Sequence, residues 1–421
     1  MVESWRANSA TDPRLMPGWR RSSRLLPPAS CTVATRIRTW WLTWQRSCVI
    51  GVAGAACLAL LTELIGLVAA FGGRFPVELQ QHPESAVGIW LQWDANWFTS
   101  IVRLGYAANT HVPVGPVTYS AAAFPPGYPA LMRGVSSVLP ISPLAAGLLI
   151  SGVAAVALLI GLHRLVLLDE SRAIADRTLF LLLVYPAAFF LVVAYSDSLI
   201  AAAGVWAFYA ARRGHWVTAG VLTAVATVTK IEAVIIVIPL AVEYMAARHW
   251  DWRKIRGGLV ALVAIPVVGL AGVAAYFQAT LHDPLAFVKA QGAWGHTLAH
   301  PWSTFTQDIR NIVGLHWFEK DTGVAYTLDV VAYGLLLLTT IYAIRTMRRS
   351  YWIFMVLMLL LLGFSGTLTS TERHLLLVFP MFIALARIAH RSAWIERGLV
   401  VVGLPLLVYS VARFATGHWV N

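Results

Sequence analysis

The feature that most constrains this chain is the recurrence of long apolar runs. They occupy roughly 47–71, 142–168, 177–195, 197–211, 216–229, 231–246, 255–279, 324–344, 350–366, 371–389 and 397–415. A helix needs about 20 apolar residues to cross a bilayer, because each residue rises only about 1.5 Å. Lipid offers the backbone no hydrogen-bond partners, so such runs satisfy their own amides as helices. The expected fold is therefore all-α, a polytopic transmembrane helical protein of about eleven spans. The middle runs are short and closely spaced, which makes some of them candidates for re-entrant segments. Composition agrees. Of 421 residues 58% are hydrophobic and 12% charged, where a soluble chain carries about a quarter charged residues.

The net charge is +12. In a soluble protein that balance would point to nucleic acid. Here the arginines lie between apolar runs, where they set topology and meet lipid headgroups, so membrane lipids are expected partners and nucleic acid is not. Of the 32 Lys and Arg residues, 23 fall in residues 1–46 and in the connections at 164–177, 212–213, 248–256, 345–349 and 387–397. The positive-inside bias then predicts a cytoplasmic N-terminus. It places two long segments, about 72–141 and 280–323, on the outer (periplasmic or extracellular) face of the cell membrane. Loops of that length commonly carry function. Residues 1–46 read as a basic cytoplasmic tail without stable structure, ending near an interfacial segment, Trp40–Trp44. Residues 47–421 read as one membrane domain.

Cys31, Cys48 and Cys57 lie in the tail or in and beside the first run, which excludes a disulfide framework or a cysteine metal site. Arg20-Arg21 is not a twin-arginine signal, since the apolar run begins more than twenty residues later, after Pro27-Pro28. That run is long enough to span, so it reads as a retained helix.

In the first outer segment, apolar residues recur at helical spacing between Ala86 and Tyr106, with Trp90, Trp93 and Trp97 among them. This predicts an amphipathic helix at the membrane surface. Residues 120–139, with Phe124-Pro125-Pro126-Gly127-Tyr128-Pro129, are too broken by proline to span, and predict a re-entrant or interfacial hairpin.

Several polar residues interrupt this apolar background. Asp94 sits among tryptophans, where desolvation strengthens a carboxylate as a base; the plain alternative is a helix-cap aspartate. Asp197, in Ser196-Asp197-Ser198, suits a sugar hydroxyl or a cation, and equally a helix N-cap. Lys230, in Thr229-Lys230-Ile231-Glu232, is an ionisable residue at membrane depth, suited to a phosphate or to a structural pair with Glu232. Glu63 is a weaker case of the same kind. The second outer segment mixes Asp283, Lys289, Gln291, Trp294, His296, His300 and Trp302, which suits a sugar platform with phosphate contacts. His296 and His300 are four apart, but no carboxylate completes a metalloenzyme pattern, so no metal site is expected. Arg373, in Thr371-Glu372-Arg373-His374, offers the forked geometry that phosphate favours. Its structural alternative is a pair with Glu372 or Asp197.

In order and spacing these blocks resemble the PIG-V family of GPI mannosyltransferase-like proteins. The resemblance rests on Trp93-Asp94-Ala95-Asn96-Trp97-Phe98 with Gly105-Tyr106, and on Phe124 to Pro129. It continues through Tyr185-Pro186, Tyr195 to Leu199, Thr229-Lys230, Asp283 to Phe287 with Gln291 and Trp294, and Glu372 to Leu376 with Phe379-Pro380, covering about residues 47–390. It implies a membrane glycosyltransferase of the GT-C type, taking a sugar, usually mannose, from a polyprenyl-phosphate donor, with Asp94 as the catalytic acidic residue. Two departures stand out. The family often has Ser-Glu-Ser where this chain has Ser196-Asp197-Ser198, and Thr-Arg-Pro where it has Thr229-Lys230-Ile231. The shorter acid changes reach, and the unforked Lys230 changes phosphate geometry.

The expectation is thus an inverting α-mannosyltransferase acting on a glycan or lipoglycan hydroxyl. Arg373, Lys230 and His296 would bind the donor phosphate. Trp93, Trp97, Tyr128, Asp197, Gln291, Trp294 and His374 would contact sugar or acceptor. No cofactor is required, and a divalent ion is compatible. The competing readings are a transporter or lipid-linked sugar flippase, with Glu63, Lys230 and Glu232 lining a path, and a GT-C enzyme with another donor sugar.

Overall fold

The computed structural model describes residues 33–72, 86–114, 116–314 and 322–420. The chain divides into two compact units, 1–46 and 47–421. Helix α1 spans Val33–Gly72, so it begins well before residue 47 and the Trp40–Trp44 segment is helical.

In the second unit a 3₁₀ turn, Ala86–Trp90, leads into α2 (Asp94–Leu104), which is amphipathic as expected. A small antiparallel hairpin follows, β1 (Val112–Val114) with β2 (Val117–Tyr119), Val112 opposite Tyr119. This hairpin is a small insertion in an otherwise helical chain. Its short valine-, threonine- and tyrosine-bearing strands have the residues that favour a pleat, but they lack the length that makes a strand legible. Helix α3 (Gly127–Val138) is the proline-flanked segment, and α4 (Pro143–Val166) follows after one short turn. Ser142 caps α4 by accepting from the Ala145 amide at 3.2 Å, and Pro143 occupies a first-turn position where no amide is missed.

The remaining helices are α5 (Arg172–Leu183), α6 (Asp197–Arg212), α7 (Trp216–Thr229), α8 (Val237–Ala246), α9 (Gly257–Leu281), α10 (Ala286–Ala290), α11 (Pro301–Gly314), α12 (Thr322–Thr346), α13 (Arg349–Gly363), α14 (Thr371–His374), α15 (Phe379–Arg391) and α16 (Ala393–Ala415). Among the described residues five helices are long and apolar enough to cross a membrane: α1 over Trp44–Ala70, α4, α9, α12 over Gly323–Thr346, and α16. A sixth results if α14, the 3₁₀ turn after it and α15 are one span, bent by 86°. The membrane-helix class is borne out, while several of the eleven expected runs are shorter or broken. Proline accounts for two of the breaks. Run 177–195 loses its helix at Leu183, just before Tyr185-Pro186, because a residue preceding proline disfavours the helical region. Run 371–389 restarts as α15 with Pro380 in its first turn.

Large apolar side chains of α1 (Leu60, Leu64, Val68), α9 (Val268) and α16 (Val401) are exposed, as lipid-facing residues must be. The interior holds Phe189, Phe190, Phe208, Phe382 and Phe414, buried together with Tyr195. Helix α6 is a measuring rod through this core. Its 16 residues rise about 1.5 Å each, so its ends stand roughly 22 Å apart. At its C-terminal end Arg212 pairs with Asp169 at 2.6 Å, and Arg348 pairs with Glu243 at 3.0 Å. Arg387 pairs with Glu170. Its N-terminal end carries Asp197, in a second, separate group of charges.

Candidate active site

Asp94 is the first residue of α2. It is not a solvated cap. Arg373, from α14, donates to Asp94 Oδ2 at 2.9 Å, and each side chain is only 15% exposed. Arg373 Nε also lies 3.7 Å from Asp197 Oδ1, at the N-terminus of α6. The guanidinium lies between two aromatic faces, 5.4 Å from the Phe190 centroid and 5.3 Å from that of Tyr195. Three segments distant in sequence thus meet on one arginine. The structural pair foreseen between Arg373 and Asp197 exists, and Asp94 joins it. Oδ1 of Asp94 has no hydrogen-bond partner among the described residues.

Lys230 ends α7 in an extended conformation and starts a 3₁₀ turn, Ile231–Ile236. Its Nζ donates to His374 Nε2 at 2.8 Å, and His374 Nδ1 donates to the Ser370 carbonyl at 2.7 Å. That pattern fixes the neutral tautomer of His374, with Nε2 as acceptor. No carboxylate comes within ion-pair distance of Lys230 among the described residues, so the alternative of a structural Lys230–Glu232 pair is not formed. Lys230, Glu232 and His374 instead are among the lining residues of a narrow cavity. Its other walls are apolar and include Ile200, Phe208, Phe354, Met358 and Phe379.

His296 lies between α10 and α11 and stands close enough to Lys230, Arg373 and Glu232 to feel their charges. Burial depresses its pKa below the usual histidine value, Lys230 and Arg373 depress it further, and Glu232 opposes them.

The other expected contact residues divide. Trp93 is 37% exposed and meets Trp419 edge to face, centroids 4.7 Å apart. Trp97 and Trp294 pack together with Phe124, and Trp294 also meets Tyr119. Gln291 Nε2 donates to the Ala123 carbonyl at 3.0 Å. Trp97, Trp294 and Gln291 therefore join the segment from α2 to α3 to the segment from α10 to α11, instead of lining the acidic centre. Tyr128 is fully buried, its hydroxyl 2.8 Å from Ser151 Oγ and 3.0 Å from the Gly147 carbonyl. In this conformation it presents no surface to a sugar. Glu63 accepts from the Trp90 indole at 2.7 Å, which explains a carboxylate inside α1. Two residues of the site escape sequence reasoning as functional groups. Tyr195 is legible only as part of its motif, and Phe190 carries no signal beyond being apolar.

Most of these residues fall in a stretch with a recognisable signature. Residues 58–255 match the mannosyltransferase (PIG-V) family. The resemblance is thereby borne out over that stretch, and a glycosyltransferase is supported. The match includes Asp94, Asp197 and Lys230, whereas Arg373, His374 and His296 lie beyond it and reach the site through the fold. No curated protein matches the chain significantly. Among solved structures, ArnT from Cupriavidus metallidurans bound to undecaprenyl phosphate is similar at 14% identity, covering 86% of this chain and 74% of that one, with a TM-score of 0.47. The Archaeoglobus fulgidus oligosaccharyltransferase in its apo form is similar at 11% identity, covering 86% of this chain and 56% of that one, with a TM-score of 0.40. Both are partial likenesses of chain path.

Proposed function

We propose that this protein is an inverting mannosyltransferase that uses a polyprenyl-phosphate donor and acts on the non-cytoplasmic face of the cell membrane. The supporting observation is the buried Asp94–Arg373 pair, with Lys230 bonded to the neighbouring His374 in the lining of a mostly apolar cavity. A lipid phosphate has the same two-part chemistry: a charged head that needs donors and a tail that needs apolar surface.

In this mechanism the acceptor hydroxyl gives its proton to Asp94 as its oxygen attacks the anomeric carbon. The bond from that carbon to the phosphate oxygen breaks on the opposite face, and its electron pair leaves with the polyprenyl phosphate. The β-linked donor becomes an α-mannoside. Lys230 and Arg373 stabilise the charge that builds on the phosphate. His296, held neutral by burial and by those cations, contributes a hydrogen bond and not a charge. Asp197 keeps Arg373 in place when Asp94 turns to the acceptor. The acceptor is a glycan or lipoglycan hydroxyl. Among the described residues no group of three or more His, Cys, Asp or Glu side chains is placed to hold a metal, and no step runs through one.

The flippase reading requires ionisable groups along a path through the membrane. Glu63, one of its members, is instead bonded to Trp90. The test is Asp94→Asn, which keeps a partner for Arg373 and removes the base. Transfer of mannose from a polyprenyl-phosphate donor should fall about 10²- to 10⁴-fold with the fold intact. Near-normal transfer by folded Asp94→Asn protein would remove Asp94 from this role.

A further inference from the structure

The backbone just before Asp94 is strained. Trp93 has φ 49° and ψ −114°, a region in which side-chain-bearing residues pay a steric penalty and stay only when their surroundings hold them. Besides the local bond from the Ala95 amide to the Gln92 carbonyl at 3.0 Å, this turn is braced by the hydroxyl of Tyr195. It accepts from the Asp94 amide at 3.2 Å and donates to the Gln92 carbonyl at 3.3 Å, bridging the two residues on either side of Trp93. One hydroxyl supplies one donor and two acceptor positions, so both bonds are made in their proper sense.

The ring of the same residue faces Arg373, whose guanidinium carbon lies 5.3 Å from its centroid. Tyr195 therefore touches both halves of the ion pair: the backbone of the acid through its oxygen, and the cation through its face. It is itself held firmly. It is 1% exposed and packs on Phe190 and Phe414. Its carbonyl accepts from Ser151 Oγ at 2.7 Å, and Ser151 in turn meets the Tyr128 hydroxyl. A chain of contacts runs from α3 through α4 to Tyr195, and from there to the Asp94 turn.

We propose that Tyr195 is a positioning residue of this site, fixing the strained Trp93–Asp94 turn with its hydroxyl and Arg373 with its ring. It takes no part in proton transfer. The proposal rests on the mannosyltransferase reading for its kinetic consequence, but its geometry stands without that reading.

Two variants separate the hydroxyl from the ring. Tyr195→Phe keeps the ring and deletes both bonds, so the acid drifts while the cation keeps its platform. The expected result is a fall in kcat of about 10- to 100-fold, the scale of a misplacement near 1 Å, with the donor KM within about twofold of the wild type. Tyr195→Leu also removes the platform, and should raise the donor KM as well. A residue with only a structural role would lower the fraction folded and leave kcat per folded molecule unchanged, and that outcome overturns the proposal. Ser151→Ala covers the case in which Tyr195→Phe does not fold. It loosens the Tyr195 backbone and should lower kcat a few-fold, the effect of one lost hydrogen bond; unchanged kcat there also counts against the proposal. If wild-type protein transfers no mannose, the functional reading fails, and the positioning is read from an experimental structure of Tyr195→Phe. There Asp94 and Arg373 should no longer be within hydrogen-bonding distance; an unchanged 2.9 Å pair would sink the inference.

Discussion

In the proposed mechanism Arg373 is held in the resting site and would still serve the donor phosphate. It has two carboxylate neighbours, Asp94 and Asp197, and two aromatic faces. Its forked donors can address an acid and a phosphate together, which a lysine cannot do. In the proposed reaction Lys230 would meet the phosphate as a point charge, with the neutral Nε2 of His374 as its resting partner. His296 gives this scale its pH prediction. Its folded pKa lies below the unfolded value, so the unfolded chain binds more protons in the window beneath about pH 6.5. The stability it contributes is present above that window and is lost as pH falls through it. Thermal melts of wild type at pH 7.5 and 5.5 should therefore differ by more than those of His296→Gln. Equal differences would mean that His296 is not depressed. Arg373 and Lys230 were legible from sequence as ionisable residues among apolar ones, and His296 as an imidazole in a polar segment. Their partners were not, because Asp94 and Arg373 are separated by 279 residues.

The proline-rich block Phe124 to Pro129 acquires its meaning from helix contact. Gly127 opens α3, and a side chain there would meet the backbone of α7: the Val228 carbonyl oxygen at 2.6 Å and the Thr229 amide nitrogen at 2.9 Å. Those atoms belong to the last turn before Lys230. Glycine is thus required by a close approach of two backbones, and the approach sets where Lys230 emerges. Gly127→Ala must push the two elements apart. The expected cost is about 1–3 kcal/mol of stability, the range for overpacking, together with a higher donor KM; a melt and a donor titration test both. An unchanged donor KM would separate this contact from the site. From sequence the block reads as a re-entrant or interfacial hairpin. The structure makes it a helix packed on α2, α4 and α7.

Among the described residues two groups of charges stand at the ends of α6, the ion pairs of Arg212, Arg348 and Arg387 at one end and the Asp94–Asp197–Arg373 group at the other. The first end carries connections rich in Lys and Arg, which is the arrangement the positive-inside rule associates with the cytoplasm. The orientation follows as a prediction. In a background with Cys31, Cys48 and Cys57 changed to Ser, a cysteine at exposed Ser137 should react with an impermeant maleimide from outside intact cells. One at exposed Arg213 should react only after permeabilisation. The reverse pattern would invert the topology and move the site to the cytoplasmic face.

The sequence by itself determined the helical membrane class, because apolar length and backbone hydrogen bonding are local properties of each run. It also marked Asp94, Asp197, Lys230 and Arg373, since a charge among apolar residues stands out wherever it lies. Tertiary structure alone decided how many runs are long unbroken helices, for a helix that stops near a proline is still apolar beyond its end. It alone decided that Arg373 belongs to both acids, that Trp97, Trp294 and Gln291 join two segments distant in sequence, and that Tyr128 is buried. It alone disclosed the strained turn at Trp93 and the hydroxyl of Tyr195 that holds it. Those are relations between distant segments, set by how helices pack, and no local pattern of residues encodes them.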